Sequence, residues 1–86
     1  MISNLAVNQF VITSPKGTYF QSYKSVIAFI PYKGKTQLGQ DYKYSQTTSK
    51  YRNIFLEETT KQTDAKIKSG EYKLVKEIKI KWNVYQ

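Results

Sequence analysis

No cysteine occurs in this chain, so whatever it folds into is held without a disulfide and without a thiolate metal site. Its 86 residues suffice for a single domain, 1–86, and leave no room for a second. A chain of that size buries only about 60–65% of the surface its unfolded form exposes, so a small core carries the fold unaided.

That core is written mainly in strands. Residues 9–13 are rich in β-branched and aromatic side chains, and Ser14, Pro15, Lys16 and Gly17 follow with turn chemistry. Residues 18–23 complete a predicted hairpin. The apolar run from Val26 to Ile30 predicts a strand covered on both faces, with Pro31 at its end. A turn over residues 32–35 leads into a short fourth strand at 36–38.

Beyond residue 45 the pattern changes to helix. The polar run Ser45, Gln46, Thr47, Thr48 and Ser49 offers N-caps for a helix through residues 50–56, on which Tyr51, Ile54 and Phe55 share a face. Thr59 with Gln62 matches a capping box, predicting a second helix to about Ser69 with Gly70 as its stop. One bent helix over 48–69 is the alternative. In the closing segment Tyr72, Leu74, Ile78, Ile80, Trp82 and Val84 occupy even positions, while Lys73, Glu77, Lys79, Lys81 and Asn83 occupy odd ones. That period of two predicts a long strand with one buried face, bent or ended near Lys76. The expected class is α+β: an antiparallel sheet of about five strands, four N-terminal and one C-terminal, packed with one or two short helices.

The same composition narrows function. There is no histidine, and the six carboxylates form no acid/base or metal constellation. No phosphate-cradling glycine loop is present. No catalytic residue, metal site or cofactor is therefore expected, and the chain reads as a binding protein. Residues 1–8 lack the basic and apolar regions of a signal peptide, and no apolar run approaches a membrane span, so the expected location is the cytoplasm with no membrane partner.

Charge suggests the partner. The chain carries +8, and thirteen of its fourteen basic residues are lysine, Arg52 being the exception. Lysine is a hydrated point charge suited to phosphate backbones, whereas base reading favours arginine. Lysines interleave with aromatics, as in a stacking platform for single strands, though aromatics also fill small cores. Lys73, Lys79 and Lys81 would project from one face of the closing strand as a ladder. The candidate nucleic-acid contacts are Lys43, Tyr44, Lys50, Arg52, Lys79 and Lys81, with DNA favoured over RNA. A helix-turn-helix reading would instead present Lys61, Gln62, Lys66 and Lys68, but the helix junction lacks the usual glycine. The alternative partner is a host protein, gripped by a tyrosine patch built from Tyr19, Tyr23, Tyr32 or Tyr42. A homodimer paired through sheet edges is compatible with both readings.

Three stretches carry a resemblance: Tyr19-Phe20-Gln21-Ser22-Tyr23; Asp41-Tyr42-Lys43-Tyr44-Ser45-Gln46-Thr47-Thr48-Ser49-Lys50-Tyr51 with Phe55-Leu56; and Lys66-Ile67-Lys68-Ser69-Gly70-Glu71-Tyr72. Over about residues 18–75 the chain resembles an uncharacterised small-domain family of phages, plasmids and conjugative elements of low-GC Gram-positive bacteria. The apolar segment through Ile78, Ile80 and Trp82 is not part of that pattern. The resemblance implies a mobile-element origin and brings no active site. Small phage proteins of this size are commonly DNA-binding accessories or inhibitors of host machinery, anti-CRISPR proteins included.

Overall fold

The computed structural model describes residues 2–80. Its elements run β1 (Ile2–Ala6), β2 (Gln9–Ser14), β3 (Gly17–Ser22), β4 (Ser25–Pro31), β5 (Gln37–Gly39), α1 (Gln46–Leu56), α2 (Thr60–Ser69) and β6 (Lys73–Val75). The six strands form one sheet in sequence order, giving an α+β fold. Neighbours are antiparallel except for β5 and β6, which pair in parallel over three residues. Parallel pairing needs a long crossover connection, which α1 and α2 supply between β5 and β6 and a tight hairpin cannot. The sheet is thus mixed rather than purely antiparallel.

The strand count is one higher than sequence indicates. β1 escapes a pattern reading because four of its five side chains are exposed and the fifth half-buried, so it shows no alternation. Its turn back to β2 uses Asn8 in the left-handed region (φ 62), a conformation asparagine tolerates better than most residues.

Both faces of the sheet are covered. Adjacent strand residues point to opposite sides, so Phe20 and Tyr19 on β3 belong to different clusters. Phe20, Ile27, Ala28 and Leu38 form the first, beneath Tyr51, Phe55 and Leu56 of α1 and Ile67 of α2. Ile12, Tyr19 and Ile78 form the second, joined by Phe10, Val26, Phe29, Val75 and Ile80. The apolar run of β4 serves both. Phe20 faces Ala28 and Gln21 faces Val26, so Ile27 is an extra, bulged residue. The bulge lets Ile27 and Ala28 both join the helix side while Val26 and Phe29 turn to the other. Burying a side chain such as Phe20, which is fully inaccessible, contributes about 2–3 kcal/mol.

The two helices are separate. Glu57 is left-handed (φ 57) and ends α1, while Ser45 caps its start by accepting from the Thr48 N–H at 3.1 Å. Thr59 begins α2 with both arms of the capping box present: its Oγ1 accepts from the Gln62 N–H at 3.1 Å, and its own N–H donates to the Gln62 side-chain carbonyl at 2.8 Å. Gly70 closes α2 as expected. Thr59→Ala is expected to lower stability by about 1 kcal/mol. The readout is a shifted urea midpoint at unchanged slope; an unmoved midpoint would show that the cap does not hold the helix.

The closing strand is much shorter than its pattern. β5 offers only Gln37–Gly39 as a partner, so β6 ends at Val75 and the chain bends at Lys76. Leu74 on β6 is 46% exposed, whereas Ile78, past the bend, is buried against the second cluster. Lys73 and Lys79 therefore do not share a strand, and no ladder forms between them. Lys81, Trp82 and Val84 lie outside the described residues. Among the described residues, no helix is long and apolar enough to cross a membrane.

Candidate functional site

A groove opens on the sheet face opposite the helices. Its wall begins at the β2–β3 turn, where Ser14 Oγ accepts from the Lys16 N–H and donates to the Gly17 carbonyl, both at 3.1 Å. Gly17, paired with Pro31, lets this turn lie directly on β4. The Tyr32 N–H then donates to the Lys16 carbonyl at 3.1 Å, tying the turn to the loop of residues 32–35. Lys16, Tyr32, Lys33 and Lys35 are thereby gathered from two separated stretches. The segment after the Lys76 bend brings up Glu77, Ile78 and Lys79 from the other side. The groove's volume is about 940 Å³.

The floor is aromatic. Tyr19 and Phe29 stack across β3 and β4 with centroids 4.3 Å apart and planes 16° from parallel. Tyr32 stands beside them, 67% exposed. Among the described residues, four lysines line the groove against one carboxylate, Glu77. Glu77 reaches Lys79 at 3.9 Å, but both are largely in water, where such a pair is weak. The groove is thus electropositive, recessed and partly aromatic, a combination suited to an anion that carries flat rings.

The residues singled out from sequence are not brought together. Of the candidate nucleic-acid contacts, only Lys79 lines this groove among the described residues. Lys43, Tyr44 and Lys50 lie with the helices on the other side of the sheet. Lys43 donates to Asp64 at 3.3 Å, and Lys50 sits 5.3 Å from the Tyr51 ring. Tyr44 is 73% exposed.

Arg52 is no surface contact at all: it is fully buried, donating to the Tyr42 carbonyl, to Asn53 Oδ1 at 2.9 Å and to Thr60 Oγ1 at 2.6 Å. Burial lowers its pKa from the usual arginine value, opposed by Asp64 and other nearby groups. The spacing carries the signal: Thr48, Arg52, Phe55 and Leu56 fall at i, i+4, i+7 and i+8, one inward face of α1.

The tyrosines do not make one patch either. Tyr19 is buried, Tyr23 sits in the β3–β4 turn, Tyr32 is on the groove rim, and half-buried Tyr42 donates to Asp64 at 2.7 Å on the helix side. That hydrogen bond, more than any other contact, holds the Asp64 carboxyl below the usual carboxylate range. On α2, Gln62 is occupied by the cap and Lys66 by Glu58 at 2.7 Å, leaving only Lys61 and Lys68 of the four helix-turn-helix candidates outwardly exposed without such roles. Ala65, the apolar neighbour of Asp64 on α2, is exposed; Thr63 and Ile67 are the inward residues. The loop of residues 32–35 shows in sequence only as a turn, although its Tyr-Lys-Gly-Lys order already pairs a ring with two cations.

A family model matches residues 2–72. The chain belongs to that family, the family of unknown function DUF8033. The DUF8033 match takes in β1 to β5, both helices and, from the groove, Lys16, Tyr19, Phe29, Tyr32, Lys33 and Lys35. Lys79 and the segment that closes the groove's far side lie beyond it. Neither a curated protein nor a solved structure matches the chain.

Proposed function

We propose that this chain is a small basic nucleic-acid-binding accessory protein of a phage or other mobile element, acting on DNA in the host cytoplasm through the groove on its helix-free face. The observation that supports this most is the convergence of Lys16, Lys33, Lys35 and Lys79 on one recess. Like charges repel, and a phosphate backbone lying along the recess would neutralise all four at once. Lysine rather than arginine on the surface favours backbone contact over base-edge reading. The alternative, an inhibitor that grips a host protein such as a CRISPR effector, draws less support, because its tyrosines are dispersed.

Fluorescence anisotropy against labelled DNA across a salt series tests the reading. Four phosphate contacts give a slope of log K on log salt of about −3, and removing any one of them reduces its magnitude by about 0.7–0.9. Lys33→Glu/Lys35→Glu is expected to weaken binding at least about tenfold at low salt and to roughly halve that slope. Lys43→Glu/Lys50→Glu, on the opposite side, is expected to matter far less. Equal affinity for wild type and Lys33→Glu/Lys35→Glu would remove the groove from consideration.

A further inference from the structure

The geometry points to an unpaired strand, with one base lying on the Tyr32 ring, as the form of nucleic acid this groove takes; the inference rests on the nucleic-acid reading above. Tyr32 is 67% exposed, yet it belongs to the groove wall and is followed directly by Lys33. A ring so placed offers its face to a flat partner while the adjacent ammonium groups meet phosphates. In a duplex the base faces are already stacked on one another, so only an unpaired base can use it. The shape agrees. Duplex readers insert a helix or ribbon into a DNA groove. Here the cations surround a recess of about 940 Å³, into which a flexible strand can enter and a duplex can offer only its outer backbone. Arg52, the chain's one arginine and the side chain best suited to bidentate reading of guanine, is buried on the far side and fully inaccessible. Recognition through the face of a base, sequence-tolerant, is what remains to Tyr32.

The test compares a fluorescein-labelled oligo-dT of about twelve nucleotides, within the usual site size of such grooves, with its duplex on oligo-dA. Wild type, Tyr32→Leu and Tyr32→Phe are each titrated by anisotropy over a salt series; the exposed side chain makes both substitutions compatible with the fold. Tyr32→Leu is expected to weaken the single strand about tenfold, Tyr32→Phe to restore it, and the duplex to respond to neither. The salt slope should stay unchanged in Tyr32→Leu, because stacking releases no counterions. Equal weakening on strand and duplex, or none on either, overturns the inference. Should Lys33→Glu/Lys35→Glu weaken both forms while Tyr32→Leu weakens neither, the groove binds by phosphate contact alone. Indifference of both forms to the lysines as well would bring down the nucleic-acid reading itself.

Discussion

Replacing Gly17 with alanine is expected to destabilise the protein by about 3 kcal/mol, through strain and collision together. Gly17 has φ +150, a conformation that side chains disfavour. A Cβ there would fall 2.3 Å from the Ile30 carbonyl oxygen and 2.7 Å from Pro31 Cα. Both are backbone atoms of the neighbouring strand, so no rotamer change relieves the contact. The two strands would have to part, and with them the Tyr32–Lys16 bond that holds the groove wall. For a domain of this size each kcal/mol moves the melting temperature by about 4–8 °C, so a fall of about 12–24 °C should be seen by circular dichroism. Gly34 separates the two causes. It also has positive φ (+103), but nothing lies within 4 Å of its would-be Cβ. Gly34→Ala should therefore cost only about 1 kcal/mol. Equal small effects at both glycines would mean that the β2–β3 turn can lift off β4 freely.

Gly17 also illustrates what a sequence discloses. Pro15 and Gly17 announce a turn, and the turn is there; that the turn lies flat on β4 depends on a pairing with Pro31, a residue fourteen positions away. Local signals serve well wherever the structure is locally determined. The β2–β3 hairpin, the doubly covered run of β4, the caps at Ser45 and Thr59 and the stop at Gly70 are all readable from neighbouring residues. They fail where a partner decides. The alternation after Tyr72 continues past the point where β5 has any residue left to pair, so Ile78 and Ile80 pack on the back of the sheet from irregular chain instead. Arg52 is one more cation in a basic protein until its helical spacing from Thr48 turns it inward. The groove is the least legible feature, because its lysines come from three stretches and only the folded sheet makes them neighbours.

The second large effect is expected at Glu58, where substitution by alanine should cost about 3 kcal/mol. Its side chain is 4% exposed. The carboxylate accepts from Thr63 Oγ1 at 2.6 Å, Lys66 Nζ at 2.7 Å and Tyr72 OH at 2.8 Å, so it joins the helix junction, the middle of α2 and the stretch before β6. Alanine would leave the hydroxyl of half-buried Tyr72 without that acceptor. Thr63 would keep its longer bond to the Thr59 carbonyl, and Lys66 its 4.0 Å approach to Glu71, which limits the damage.

The acid dependence distinguishes charge from shape. Burial opposes ionisation of Glu58, but the bonds from Lys66, Thr63 and Tyr72 together outweigh it and hold the carboxyl below its ordinary range. A group whose pKa is depressed by folding contributes stability above its unfolded pKa and loses that contribution as pH falls through the folded one. Glu58→Gln keeps the size and one acceptor oxygen but cannot ionise. Urea denaturation at pH 7 should therefore show it less stable than wild type by about 1–2 kcal/mol, a gap that narrows as pH falls below the ordinary carboxylate range and the wild-type carboxylate takes up its proton. A gap that stayed constant over that interval would assign the effect to altered hydrogen-bond geometry alone. The network thus joins the helix junction and α2 to the stretch before β6, and β6 in turn leads into the segment bearing Lys79.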